Sequence, residues 1–161
     1  MQWFVAEVLP LVRRALPGVK LRLAGSDMPA AITALASEAI EVLGWVPSLP
    51  DLFGSVRLSV APLRFGAGFK GKVATSLAHG LPVVGSSISL EGTGLAHGDG
   101  VAVADDAESF AYEIVRLHED EAVWQEQSAR ALERVAALYA PAAAAQVWRD
   151  MLGRLGLPTA D

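Results

Sequence analysis

Glycines and lysines alternate in one short segment of the chain, Gly66 to Lys72, where a diphosphate could be held. Glycine has no side chain, so the backbone N–H groups around it can approach an anion closely. Lys70 and Lys72 add two positive charges, although the whole chain has only three lysines. A helix is predicted to begin at Gly71, and its N-terminal dipole also favours an anion. We interpret the segment as a diphosphate cradle, with Arg64 as a further candidate ligand. The alternative is a glycine-rich turn with incidental surface lysines.

Two known nucleotide-binding patterns overlap this segment without being complete. Gly66, Gly68 and Gly71 match the dinucleotide pattern G-x-G-x-x-G. Glu91 lies 20 residues beyond the last of them, where a ribose-binding acid is expected. That turn belongs to the first βαβ unit, whereas here at least three predicted strands come before it. The segment also matches G-x-x-x-x-G-K, but Val73 occupies the place of the magnesium-binding serine or threonine. Only the feature common to both patterns, anion binding by backbone N–H groups, is therefore predicted.

The elements that must position this segment alternate along the chain. Apolar residues recur at helical spacing from Trp3 to Leu16, and Pro17-Gly18 ends that helix. Short apolar runs separated by helical segments are typical of a parallel sheet with helices on both faces, since such strands are buried on both sides. The predicted fold class is therefore α/β, with a Rossmann-like parallel sheet. Strands are predicted at 19–24, 40–43, 58–61, 82–85 and 101–104, and helices at 3–16, 28–37, 48–55, 71–79, 108–118, 122–139 and 142–155.

Composition limits the classes of function. The 161 residues are 52% apolar and 19% charged, with a net charge of −5 and no cysteine. An acidic chain without a basic stripe is unsuited to nucleic acid, because phosphate-backbone binding needs clustered positive charge. Thiolate chemistry is excluded, and His79, His97 and His118 are too scattered in sequence to predict a metal site. Neither a signal peptide nor a membrane span is recognisable, so we expect a cytoplasmic protein.

Several segments resemble one family when they are taken in order. They are Leu23–Ser26, Val42–Pro47, Val60–Val73 and Ala78–Val84, with Glu91-Gly92 after them. Over about residues 3–152, their order and spacing resemble the C-terminal, donor-binding domain of group 1 glycosyltransferases. The resemblance implies a GT-B architecture, in which the second of two Rossmann-like domains binds a nucleotide-diphosphate sugar. It further implies sugar transfer with retention of configuration, with the nucleotide sugar as substrate and no cofactor.

The resemblance also implies roles for individual residues. The glycine-rich segment would hold the donor diphosphate, while two earlier loops would border the base and ribose; no catalytic residue and no metal ligand is assigned. The diphosphate-binding residues implied are Arg64, Gly66, Ala67, Gly68, Phe69, Lys70 and Lys72. The base- and ribose-binding residues implied are Gly25, Ser26, Gly44, Trp45, Val46, Thr75 and Glu91, with half-buried packing as the alternative for the tryptophan.

Two features depart from the family pattern. Many members carry two glutamates eight positions apart, where this chain has Ala67 and Thr75. A hydroxyl binds two ribose hydroxyls more weakly than a carboxylate does. Donor affinity is therefore expected to be reduced unless Glu91 substitutes. Members also begin this domain with a strand at the centre of the sheet, whereas this sequence starts on the first predicted helix.

These departures predict a fragment that lacks the first strand and the N-terminal acceptor domain. We expect a single donor-binding domain at 1–156 with a frayed tail at 157–161, inactive in transfer on its own. Apolar residues on the last helix predict self-association as a homodimer, unless they cover this domain's own sheet. They are Val147, Trp148, Met151, Leu152 and Leu155. Two other functions stay open: a degenerate donor-like domain that acts as an interaction module, and a nucleotide-dependent oxidoreductase.

Overall fold

A computed structural model describes residues 1–157 of the chain, so residues 158–161 of the predicted tail lie outside the described part. The strands are β1 (Leu21–Ala24), β2 (Ile40–Gly44), β3 (Ser59–Ala61), β4 (Val83–Gly85) and β5 (Val101–Val103). The helices are α1 (a π-helical turn Phe4–Val8 continued by Leu9–Ala15), α2 (Ala30–Thr33), α3 (Leu49–Gly54), α4 (Gly71–Ala78), α5 (Ser87–Leu90), α6 (Ala107–Glu119), α7 (Glu121–Tyr139) and α8 (Pro141–Arg154). In this part of the chain no helix is both long and apolar enough to cross a bilayer.

Most predicted elements are present, with three local differences. The helix predicted at 28–37 is a single turn, α2, and none of its residues is buried. Alanine propensity alone does not sustain a short helix, because most helical stability in proteins comes from packing an apolar face. The turn α5 was not predicted; the Ser86 hydroxyl caps it by accepting from the Ser89 N–H. The first helix is widened into a π-helical turn before Pro10. Proline has no N–H and its ring crowds the preceding turn.

All five strands are parallel, as predicted, but they form two hydrogen-bonded sheets. β1 pairs with β2, with Leu21 opposite Ile40. β4 lies between β3 and β5, and Val84 is opposite both Val60 and Ala102. Among residues 1–157 no strand pairing joins the two sheets. Side-chain packing rather than backbone hydrogen bonding must therefore hold the two sheets together.

One apolar core spans both sheets. Leu23 of β1 and Val84 of β4 belong to the same buried cluster as Phe4 and Phe110 of the covering helices α1 and α6. The two phenylalanine rings meet edge to face, 5.6 Å apart. Val83 faces a second cluster, formed with α4 and α7. Neighbouring residues of β4 thus enter different clusters, and helices cover both faces of the sheet, as predicted.

Candidate functional site

The predicted site residues lie mostly where parallel strands end. Gly25-Ser26 follows β1, Trp45-Val46 follows β2, and residues 62–70, here called the glycine loop, follow β3. Glu91 comes after β4 and the short helix α5. The carboxyl ends of parallel strands share one edge of a sheet, and open α/β sheets bind their ligands there. Thr75 differs from the others because it lies one turn inside α4.

The backbone of the glycine loop is open to an anion. Its residues are exposed from Arg64 through Phe69. Gly68 has φ +82°, in the left-handed region that other residues adopt only with strain. Among residues 1–157, no hydrogen bond is donated by a backbone N–H of residues 64–70. These N–H groups and those of Gly71 and Lys72 at the start of α4 are therefore available to a ligand.

Two lysines supply positive charge beside these N–H groups. Lys70 Nζ donates to the Gly68 carbonyl oxygen at 2.6 Å, so this side chain folds back over the loop. Lys72 is exposed on the first turn of α4. Neither lysine forms an ion pair with a residue of the described chain, whereas Lys20 is 2.9 Å from Glu41. The glycine loop and the first turn of α4 thus carry one positive charge each, and no carboxylate of the described chain pairs with either.

Arg64 is already engaged by the protein. Its guanidinium lies over the Trp3 ring, 4.7 Å from the ring centre. It also donates to the Asp105 carbonyl oxygen at 2.9 Å. These contacts tie the beginning of the glycine loop to α1 and to the end of β5. A role for Arg64 as a phosphate ligand stays a prediction.

Serine side chains also form hydrogen bonds at the beginning of the glycine loop. The Ser86 hydroxyl donates to the Leu63 carbonyl oxygen at 2.6 Å. The Asp105 carboxylate accepts from the Ser87 backbone N–H at 2.8 Å and from its hydroxyl at 3.0 Å. The segments that follow β3, β4 and β5 are therefore connected by hydrogen bonds, and they hold the beginning of the glycine loop in place.

The other end of the glycine loop packs on α7. The Phe69 and Tyr139 rings meet edge to face, with centroids 5.3 Å apart. The Tyr139 hydroxyl donates to the Thr93 carbonyl oxygen, and burial raises the pKa of Tyr139. Because Thr93 follows Glu91 by two residues, this tyrosine brings the predicted diphosphate loop and the Glu91 segment together.

The predicted base-binding loops are joined to each other. The Gly25 N–H donates to the Gly44 carbonyl oxygen at 2.7 Å. Trp45 is 70% exposed, which does not fit the alternative of a half-buried packing residue. Val46 lines a shallow depression beside α3. No hydrogen bond or ring contact within residues 1–157 connects these loops to the glycine loop.

Thr75 has a restricted capacity for ribose. Its hydroxyl donates to the Gly71 carbonyl oxygen at 2.8 Å. The hydroxyl hydrogen is thus used inside α4, and only the oxygen lone pairs remain to accept from a ligand. Glu91 is exposed and can offer a carboxylate.

Residues that sequence reasoning missed hold the site together rather than line it. Asp105 follows β5 at the ligand-binding edge, a position that could have identified it. Trp3 and Tyr139 lie about 61 and 70 residues from their partners Arg64 and Phe69, and no local pattern predicts such contacts. Residues 1–157 bring together no group of three or more histidines or carboxylates that could hold a metal ion.

Comparison with solved structures shows a shared fold. The structure is similar to that of the Anabaena protein HepE in complex with UDP and glucose, with a TM-score of 0.70 at 18% identity, over 95% of this chain and 45% of that one. The HepE complex with UDP gives 0.68 at 19% identity, over 96% of this chain and 46% of HepE. The complex with UDP-glucose gives 0.66 at 18% identity, over 96% of this chain and 46% of HepE.

Comparison of sequences shows the family. The chain is 30% identical over 123 residues to an uncharacterised 44.6 kDa protein in the cps region of Klebsiella pneumoniae. The alignment covers 70% of this chain and 31% of that protein. The chain thus spans less than half the length of HepE and of the Klebsiella protein. Residues 1–120 match the family model described as glycosyl transferases group 1. The chain belongs to the group 1 glycosyl transferases.

Proposed function

We propose that this chain binds the nucleoside diphosphate part of a nucleotide sugar and forms the donor half of a sugar-transferring enzyme. The glycine loop carries the proposal. Together with the start of α4, it presents backbone N–H groups that donate no hydrogen bond and two lysines outside any ion pair. These groups lie at the ligand-binding edge of the sheet. The three HepE structures with UDP, glucose or UDP-glucose share its fold and support the same ligand class.

In the proposed reaction, the bond between the anomeric carbon of the sugar and the diphosphate oxygen breaks, and the leaving diphosphate keeps the electron pair. An acceptor oxygen forms the new bond to that carbon and loses its proton to a base. The family resemblance supports retention of configuration at the carbon. The loop N–H groups, Lys70 and Lys72 stabilise the charge on the leaving group, which is where preorganised donors lower a barrier.

Acceptor binding is assigned to a second domain, because the chain is less than half the length of its structural relatives. The donor domain alone then binds nucleotide but transfers no sugar. Closure of a second domain over the donor excludes water from the reacting bond. Weakened ribose contacts at Thr75 lower donor affinity, with Glu91 as the available carboxylate.

Calorimetric titration with UDP, GDP, ADP and NAD tests the proposal. We expect one nucleoside diphosphate to bind more tightly than NAD. The variant Lys70→Ala/Lys72→Ala should weaken it at least about tenfold, since hydrogen bonds to charged groups contribute about 1.5–3 kcal/mol each. The matched control is Arg13→Ala/Arg14→Ala, which removes two positive charges from the end of α1, at the opposite edge of the sheet. Preference for NAD would favour an oxidoreductase, and equal losses in both variants would refute the cradle.

An interaction module is the second candidate, favoured by the exposed apolar face of α8. Val147, Trp148 and Met151 are exposed there, and none of the helix residues is buried. The face therefore does not cover this domain's sheet. Light scattering at increasing concentration tests self-association. A mass above that of one chain that returns to one chain in Val147→Ser/Trp148→Ser supports self-association through this face, and a single-chain mass at every concentration contradicts it.

A further inference from the structure

Tyr139 contacts both the glycine loop and the segment after Glu91. Its ring packs on Phe69 and its hydroxyl donates to the Thr93 carbonyl oxygen. Tyr139 lies outside residues 1–120, which match the family model.

We propose that Tyr139 is a positioning residue that couples the two loops of the donor site, its ring ordering the glycine loop through Phe69 and its hydroxyl ordering the turn that carries Glu91. The role in donor binding rests on the proposed function. The coupling of the loops is a property of the free protein and is tested separately.

The turn whose carbonyl accepts from the Tyr139 hydroxyl has further hydrogen bonds of its own. Thr93 is buried, and its own hydroxyl donates to the Leu90 carbonyl oxygen at 2.6 Å. The same hydroxyl accepts from the Leu95 N–H at 3.2 Å. The Thr93 hydroxyl thus connects Leu90 and Leu95, on the two sides of the turn, and Glu91 lies within the segment that these hydrogen bonds span.

The glycine loop, in contrast, has few other restraints at this end. Residues 65–69 are exposed, and their N–H groups donate no hydrogen bond within residues 1–157. The Phe69 ring contact with Tyr139 is therefore a main tether of the loop between its rigid base and α4. Loss of the tether should leave the loop N–H groups in more conformations, and a diphosphate then has to order them on binding.

Helix α7 does not depend on Tyr139 for its position. Earlier in the helix, the Ser128 hydroxyl donates to the Gly80 carbonyl oxygen at 2.6 Å, and Ala131 is buried in the second core cluster. Trp124 Nε1 donates to the Arg57 carbonyl oxygen at 2.6 Å. Substitution of its last residue should leave the helix docked, so effects on the loops are separable from loss of the fold.

Backbone amide NMR relaxation of the ligand-free chain tests the coupling, because it reports the motion of N–H groups whether or not they donate a hydrogen bond. Tyr139→Phe keeps the ring and removes the hydroxyl, so order parameters should fall in residues 91–95 and not in 65–70. Tyr139→Leu removes both contacts and should lower the order parameters of both segments, from about 0.85 in a rigid backbone toward less than about 0.6 in a flexible one. The control is Tyr112→Leu, because Tyr112 is 65% exposed on α6.

Order parameters that are unchanged in both loops of Tyr139→Leu, or that fall equally over the whole chain, would overturn the coupling. Phe69→Leu gives a second test and should lower the order parameters of residues 65–70 alone. Titrations then address donor binding. Tyr139→Phe should weaken UDP and leave inorganic diphosphate unchanged, whereas Tyr139→Leu should weaken both. If the parent chain bound neither ligand, the proposed function would fail, and the pattern of order parameters would still decide whether the loops are coupled.

Discussion

Gly100, just before β5, is the residue where a single added methyl group should disturb the packing of α7 most. A Cβ atom at this position would lie 2.5 Å from the Ala131 Cβ, 2.7 Å from its Cα and 2.9 Å from its backbone nitrogen. These are backbone-linked atoms that cannot rotate away. Gly100 also has φ +81°, where an L residue is strained. Gly100→Ala therefore combines a steric conflict with a conformational one.

The two contributions can be estimated separately. The left-handed conformation costs an L residue about 1–2 kcal/mol, and overpacking of a core contact typically costs about 1–3 kcal/mol. We expect Gly100→Ala to lower the free energy of unfolding by about 2–5 kcal/mol. Gly98→Ala is the matched control, because Gly98 has φ +95° but no atom within 4 Å of its added Cβ. The loss of unfolding free energy in Gly98→Ala should therefore contain only the conformational contribution.

Urea unfolding with linear extrapolation measures both variants. Equal losses for Gly98→Ala and Gly100→Ala, within about 0.5 kcal/mol, would refute the close approach of α7 to β5. Because α7 carries Tyr139, displacement of the helix should also lower the NMR order parameters of the glycine loop in Gly100→Ala and not in Gly98→Ala.

Three further predictions concern the fold and its pH dependence. Phe110→Ala should lower the free energy of unfolding by about 3–5 kcal/mol because the ring is fully buried, whereas Tyr112→Ala, two residues away and exposed, should change it by less than about 0.5 kcal/mol in the same urea assay. Hydrogen bonds from Lys20 and Arg22 hold the pKa of Glu41 below its ordinary value. Its contribution to stability is present above that ordinary value and is lost as pH falls through the folded pKa, so Glu41→Gln should flatten the acid side of a plot of urea midpoint against pH. Burial raises the pKa of Tyr139, so its contribution is present below the ordinary tyrosine pKa and is lost as pH rises through the folded pKa. The alkaline loss of stability should be smaller in Tyr139→Phe and unchanged in Tyr112→Phe.

Local patterns predicted the parts of the fold whose causes are local. The glycine loop and the start of α4 at Gly71 follow from the glycines and lysines themselves. The strand β4 follows from a continuous apolar run, because this central strand of the parallel sheet is buried on both faces. The helix predicted at 28–37 was wrong in length, since its alanines do not pack against the core.

Contacts between distant parts of the chain could not be predicted in this way. The engagement of Arg64 by Trp3 and of Phe69 by Tyr139 depends on how α1 and α7 pack, and that packing is visible only in the folded chain. The division of the strands into two sheets likewise depends on pairing across the sheet rather than on any one segment. The roles of the site residues in binding base, ribose and diphosphate stay predictions until a ligand is measured.

The central claim is that backbone N–H groups of the glycine loop and of Gly71, the first residue of α4, hold a diphosphate. Two-dimensional amide NMR of the labelled chain tests this claim most directly. On addition of UDP, we expect the amide signals of Gly66, Gly68 and Gly71 to shift with one common saturation curve. In Lys70→Ala/Lys72→Ala the same signals should need a higher UDP concentration. Saturating shifts confined to other parts of the chain, with these three glycine signals unmoved, would contradict the claim.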